Sequence, residues 1–159
     1  LYALTGAPEI VPMLEAREAR LAELKASIVE NSERVKTDAK NLKAWVALGD
    51  NFMETGQYAA AANAFKQSVK LSGGEAALIL AYARAMILDE GGKVSDHAAK
   101  SLEMVLLQEP DNAEAKYFLI VRKLQDGNAA EAMREMKALY RSLPDGSPVR
   151  TMIDRQRGN

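Results

Sequence analysis

Catalysis in this sequence would have to start from very few residues. His97 is the only histidine and follows Asp96. One imidazole beside one carboxylate lacks the nucleophile and orienting group that covalent catalysis needs, so His97 reads as a solvated surface residue. The carboxylates of Asp38 and Asp89-Glu90 do not follow the spacing of a calcium loop. Gly73-Gly74 and Gly91-Gly92 lack the lysine and hydroxyl of a phosphate loop and read as turns. The chain has no cysteine, which removes disulfides, thiolate nucleophiles and thiolate metal sites. No nucleophile–base pair, metal-ligand set or cofactor site can be assembled. The sequence reads as a binding protein and not an enzyme.

Charge narrows what it could bind. Lysine plus arginine number 21 and aspartate plus glutamate 22, so no overall field draws in nucleic acid or an anionic membrane. Glu15, Arg17, Glu18, Arg20 and Glu23 form a mixed run that suits a solvated helix face. No apolar run approaches the roughly 20 residues that span a bilayer, so no direct membrane insertion is expected of these residues. The chain opens on Leu1 and not methionine, and is expected to be the excised soluble part of something longer.

The elements that position any binding surface emerge from a repeat. Trp45-x-x-Leu48-Gly49-x-x-Phe52 is followed by Gly56-x-Tyr58 and Ala61-x-x-x-Phe65. These offsets resemble the tetratricopeptide-repeat (TPR) signature, with Phe52 in the usual tyrosine position. Ala98-x-x-x-Leu102 and Ala132-x-x-x-Met136 repeat the small-then-large pair, and Pro110 and Pro144 close their units. The units are 42–75, 76–112 and 113–146; the second is three residues longer, with the excess in the turn 89–95. An insertion on a surface turn costs little. Small Ala61, Ala98 and Ala132 would let helix backbones approach, and Gly56 and Gly127 would supply the permissive backbone past a helix end. Trp45 is expected to pack between paired helices.

The spacing predicts helices over about 13–37, 42–55, 58–71, 75–89, 95–108, 113–126, 129–142 and 148–156. The fold class is all-α, a right-handed superhelix of antiparallel helix pairs. Residues 1–41 form a leading segment and N-terminal helix, 42–146 the three units, and 147–159 a capping helix and tail, within one structural domain. The first helix carries Leu14, Leu21, Leu24, Ile28 and Val35 on one stripe that would cover the open face of unit one. Ser95 and Asp96 can cap the fifth helix, and Ser147-Pro148 starts the last. In that last helix Val149, Met152 and Ile153 would face inward and three arginines outward.

In such a stack the first helix of each pair lines the concave side. The inward positions are Lys43, Val46, Asp50 and Met53 in unit one, Leu80, Arg84 and Ile87 in unit two, and Tyr117, Val121 and Leu124 in unit three. The floor is apolar with one acid and one base set in it. Paired lysine and asparagine, which grip a terminal carboxylate in some TPR modules, are missing. An apolar floor suits an amphipathic helix laid in a groove.

Further features resemble one family in particular. They are Tyr2-x-x-x-Gly6-x-Pro8-Glu9, Ala44-Trp45-Val46-Ala47-Leu48-Gly49 with Gly56-Gln57-Tyr58, and Ala81-Tyr82-Ala83-Arg84-Ala85 before Gly91-Gly92-Lys93-Val94-Ser95. Glu109-Pro110-Asp111-Asn112-Ala113-Glu114-Ala115 and Leu143-Pro144-Asp145-Gly146-Ser147-Pro148 complete the set. The chain resembles the periplasmic TPR domain of the bacterial cytochrome c maturation protein that binds apocytochrome c within the haem-ligation complex. The resemblance implies a chaperone in the periplasm, the soluble domain of a membrane-anchored protein. Its implied partners are the apocytochrome c polypeptide, recognised through its C-terminal helix, and the other subunits of that complex. Met136 stands where relatives commonly have tryptophan, and Asp50 where they often have arginine. A general TPR scaffold, such as one serving nitrite reductase assembly, is the alternative.

Overall fold

A computed structural model describes residues 10–158, apart from the side chain of Arg157. The motif Tyr2-x-x-x-Gly6-x-Pro8-Glu9 lies outside the described residues. Among the described residues every regular element is a helix: α1 (Ile10–Thr37), α2 (Leu42–Glu54), α3 (Tyr58–Ser72), α4 (Ala76–Asp89), α5 (Asp96–Gln108), α6 (Ala113–Gln125), α7 (Ala129–Ser142) and α8 (Pro148–Arg157). Each packs on the next in the chain, and α8 also touches α6.

The repeat positions explain the packing. Ala61, Ala98 and Ala132 are fully buried, and their partners Phe65, Leu102 and Met136 are buried beside them. The first helices of units one and three are capped alike: Asn41 accepts from the Ala44 amide at 3.0 Å and Asn112 from the Ala115 amide at 2.9 Å. Each satisfies one of the amide groups that a helix start leaves without an intrahelical partner. Gly56 and Gly127 take φ of 74° and 86°, the left-handed region that a side chain disfavours. The main core runs from Ala76 on α4 to Ile153 on α8, while Phe65, Ala61 and Ala85 join α3 to α4. Trp45 is half-buried on a third group, Val35, Ala44, Leu48 and Ala64, and its indole donates to the Ala39 carbonyl at 2.9 Å.

Helix α1 departs from the expectation. Among the described residues its stripe is covered only in the second half of the helix: Leu24 and Val35 are buried, but Leu14 and Leu21 are exposed. The reason is length. Helix α1 has 28 residues and α2 has 13; at 1.5 Å per residue that is about 42 Å against about 20 Å. Arg20 holds Glu54, the last residue of α2, through two bonds of 2.8 and 2.9 Å, and marks where the covering ends. Below it Ser27 Oγ accepts from Asn31 at 3.2 Å and from Asn51 at 2.7 Å. Asn31 is buried and also donates to the Ser27 carbonyl, so this polar knot fixes the register of α1 on α2.

Two other local expectations are corrected. Ser95 occupies the cap position of α5 but its hydroxyl donates to Glu90 instead, and the Asp96 carboxylate receives Arg122 at 2.7 Å. A charged donor makes the stronger bond. Arg150 does not face outward: it is half-buried, lies 4.3 Å from the Tyr140 ring centroid and pairs with Asp145. A guanidinium stacks on an aromatic face in this way by cation–π attraction.

Candidate peptide-binding groove

Side-chain bonds join α4 to α6 and α6 to α8, and Met53 of α2 packs toward Ala85 of α4. Arg84 on α4 donates to both oxygens of Glu114 on α6, each bond 2.7 Å long. Asp50 on α2 feels the charge of Arg84. Tyr117 on α6 donates its hydroxyl to Gln156 on α8 at 3.1 Å.

A hollow of about 640 Å³ opens over α4, α6 and α8. It brings together Arg84, Ile87, Tyr117 and Val121 from the sequence-derived set, with Phe118 and Met152. Ile87 and Tyr117 are buried and form its floor; Val121 and Met152 are half-buried and form its wall. Leu124 lines a second hollow of about 360 Å³ with Met133, Met136 and Ile153, and Gln156 borders both. Leu80 is buried in the main core. On α2, Lys43 and Asp50 are exposed, Val46 is half-buried, and Met53 packs toward Phe65 and Ala85.

The electrostatics of this face follow from one ion pair. Both Arg84 bonds run to one carboxylate, the fork geometry that an arginine matches best. Glu114 therefore neutralises the base of the groove. Although Asp50 is exposed, neighbouring groups strip water from its carboxyl and raise its pKa, and the attraction of Arg84 offsets only part of that rise. Asp50 makes no hydrogen bond or ion pair among the described residues. Burial likewise raises the Tyr117 phenol, which stays a neutral donor.

Sequence reasoning did not find Glu114, Met152, Arg155 or Gln156. Glu114 lies three residues before Tyr117 and seven before Val121, a helical spacing that places it on the same face. Pro148, Met152, Arg155 and Gln156 share a face in the same way. Treating α8 only as a cap hid its groove side.

A roomier hollow, about 860 Å³, lies elsewhere, over the lengthened turn Gly91–Ser95 and His97. Its polar groups already serve the turn. Gln125 accepts from the Val94 amide at 3.0 Å and donates to the Gly92 carbonyl at 2.9 Å. Arg122 holds Asp96, Asp126 and the Val94 carbonyl. His97 stands edge-on to Tyr82 at 5.7 Å. Among the described residues no group of His, Asp or Glu side chains could hold a metal, and no helix is long and apolar enough to cross a membrane.

Helical pairs built on these small-and-large positions and stacked in chain order define a TPR protein. The crystal structure of MamA is similar in fold, with a TM-score of 0.63 at 19% identity, covering 77% of this chain and 70% of that one. Residues 16–150 match the family described as the cytochrome c-type biogenesis protein H TPR domain, and the chain belongs to that family. A curated relative, cytochrome c-type biogenesis protein CycH of Rhizobium meliloti (strain 1021), is 26% identical over 158 residues. That match covers 97% of this chain but 41% of the relative, so the chain spans less than half the relative's length.

Proposed function

We propose that this TPR domain captures apocytochrome c, through its C-terminal helical region, and presents it for covalent haem attachment. The observation that carries the reading is the apolar hollow over α4, α6 and α8, whose one buried-side base, Arg84, is already neutralised by Glu114. Such a surface has no cationic clamp for a terminal carboxylate and suits the apolar face of an amphipathic helix. In this reading the binding face extends beyond the hollow: Ile87, Tyr117, Val121 and Arg84 line it, Leu124 lines the adjoining one, Leu80 supports them from the core, and Lys43, Val46, Asp50 and Met53 continue the face on α2. Membership of a cytochrome c biogenesis family supports a polypeptide of that pathway as the partner.

The leading helix (1–41), the three units (42–146) and the closing helix (147–159) act in this reading as one binding body. The domain works in the periplasm as a chaperone, the soluble part of a membrane-anchored protein, alongside the other subunits of the haem-ligation complex. Titration with the C-terminal helical segment of an apocytochrome c from the same source tests it by calorimetry. Micromolar or tighter binding that is lost on scrambling the segment is expected. Equal binding of the scrambled segment, or none of either, would replace this reading with that of a scaffold for another complex.

A further inference from the structure

We infer that the leading end of α1 is a ligand for the hollow over α4, α6 and α8 in a second copy of this chain. The inference rests on the groove reading and deepens it by naming one occupant. Arg20 marks where α2 stops covering α1, and the stretch from Ile10 to Ala19 projects about 15 Å beyond it. On that projection Ile10, Val11, Met13 and Leu14 are 53%, 58%, 71% and 51% exposed. At about 100° per residue these four spread over roughly 160° of the helix surface. A facing helix covers a narrower seam than that, whereas a hollow with walls wraps a wide arc. The hollow over α4, α6 and α8 has such walls, with Ile87 and Tyr117 beneath and Leu88, Val121 and Met152 beside them.

Charge matches as well. The charged residues that line the hollow are Arg84, Glu114 and Arg155. Arg84 and Glu114 hold each other, which leaves Arg155, exposed and without a side-chain bond among the described residues. The projection carries Glu15, Arg17 and Glu18, all exposed and none of them bonded among the described residues. An excess of one acid thus meets an excess of one base. Glu18 continues the side of Val11 and Leu14, and Arg17 the side of Ile10 and Met13. With Val11 and Leu14 turned into the hollow, Glu18 reaches Arg155 and Arg17 stays at the open rim.

A copy does not fill its own hollow in this way. Helix α1 is unbroken, pinned to α2 by Arg20 on Glu54 and by Asn51 on Ser27, and no residue of α1 lines the hollow. Turning the projection back would require α1 to unwind. One helix end and one hollow for each copy make the contact heterologous, so it closes as a reciprocal pair or continues as a chain of copies. Each contact is weak, because about three turns of helix cover less than the roughly 1,200 Å² of a stable complex. It therefore yields to a partner helix that holds the hollow more tightly.

Sedimentation equilibrium of the full chain, from roughly 10 to 500 μM, tests this. The expected result is reversible association, each contact having a dissociation constant on the order of 100 μM. Leu14→Glu disables the helix end and Val121→Glu the hollow. Each variant alone should stay monomeric over that range while keeping the helical circular dichroism of the parent. Mixed in equal amounts, the two should form a one-to-one pair, because one keeps its hollow and the other its helix end. Arg155→Glu should weaken association about threefold, and adding Glu18→Arg should restore it. A parent that stays monomeric, or a mixture that stays apart, would overturn the inference. So would association that survives Val121→Glu but is lost in Leu14→Glu, which would mean that the helix ends pair with each other. The groove reading is read separately, from binding of the apocytochrome-derived segment to dilute Leu14→Glu protein. Segment binding with a parent that never associates would overturn the inference and leave that reading standing. Association through the hollow without segment binding would uphold the inference and overturn that reading.

Discussion

Gly49 and Phe65 touch so closely that a side chain on the glycine has nowhere to go. A Cβ built on Gly49 would lie 2.5 Å from Cε1 of Phe65 and 2.7 Å from its Cδ1 and Cζ. Phe65 is 2% exposed and is held among Ala61, Ala85, Phe52 and Met53, so the ring cannot swing away. This is the physical content of the Gly49 and Phe65 positions in the repeat signature: α2 crosses α3 with an aromatic face laid directly on backbone. Gly49→Ala is therefore expected to destabilise by about 1–3 kcal/mol, the usual cost of overpacking a filled core. Replacing Phe65 by leucine in the same chain should relieve part of the clash. A double-mutant cycle in urea reads the coupling, and strictly additive effects would show that the two positions do not meet.

The Arg84–Glu114 pair bridges two units, and its loss should be felt as stability and not as lost helix. Arg84→Ala leaves Glu114 and Asp50 as two carboxylates on one face without their shared base. The side chains are 41% and 21% exposed, so solvent screens the effect, and a loss of about 1 kcal/mol is expected. Arg84→Met with Glu114→Gln should recover most of it, because no lone charge remains. Urea midpoints of the two variants decide this.

Asp50 gives the domain a pH dependence whose sign is fixed. Its carboxyl pKa is raised in the folded chain, chiefly by burial. The folded state therefore holds the proton more tightly than the unfolded one, and is penalised above that range, where the group is ionised. The penalty disappears as pH falls through the raised value. Asp50→Asn should accordingly stabilise the domain at neutral pH, by less than about 0.5 kcal/mol for so exposed a group, and should bring no gain in strong acid. A partner's basic side chain acts oppositely, lowering the pKa and releasing a proton on binding in mildly acidic buffer. Calorimetry in buffers of different ionisation heat measures that proton.

The repeat was legible because its positions obey a local rule. Ala61, Ala98 and Ala132 with Phe65, Leu102 and Met136 announce the helix crossings through spacing alone, whereas the caps Asn41 and Asn112 show only in the structure. The family, too, could be read from residues along most of the chain. The site was less legible, because facing the groove and being reachable in it are different properties. Ile87 and Tyr117 line the hollow and yet are buried, and Leu80 lies in the main core. Glu114 sits on a helical spacing that was visible, but its bond to Arg84 spans 30 residues and depends on how α4 and α6 stack. The exposed stripe at Leu14 and Leu21 reads like a covered one until the lengths of α1 and α2 are set side by side.

The long second turn should depend on one side chain far from it in sequence. Gln125 both accepts from Val94 and donates to Gly92, and so substitutes for a strand-like pairing within the turn. At about 0.5–1.5 kcal/mol for each bond, Gln125→Ala is expected to cost about 1–2 kcal/mol. Cleavage between Gly91 and Val94 by a protease should quicken in that variant while the rest of the domain stays intact. A turn as resistant as the parent's would mean that Arg122, through Val94 and Asp96, suffices alone.

Placing a charge on the wall of the hollow, and not in its floor, separates binding from folding. Leu80 and Tyr117 are buried, so glutamate there would put an unpaired charge in the core and unfold the chain for reasons unrelated to any partner. Val121 and Met152 are half-buried and border the open side. Val121→Glu and Met152→Glu are expected to keep the helical circular dichroism of the parent while each weakens an apocytochrome-derived helix by about 2 kcal/mol, roughly 30-fold. Each removes an apolar anchor and leaves a carboxylate that the partner would have to desolvate. Met104 supplies the control, since it is exposed on α5 and borders neither hollow: Met104→Glu should bind as the parent does. Equal loss in all three variants would locate the contact off this face, and loss confined to Val121 and Met152 would fix it over α6 and α8.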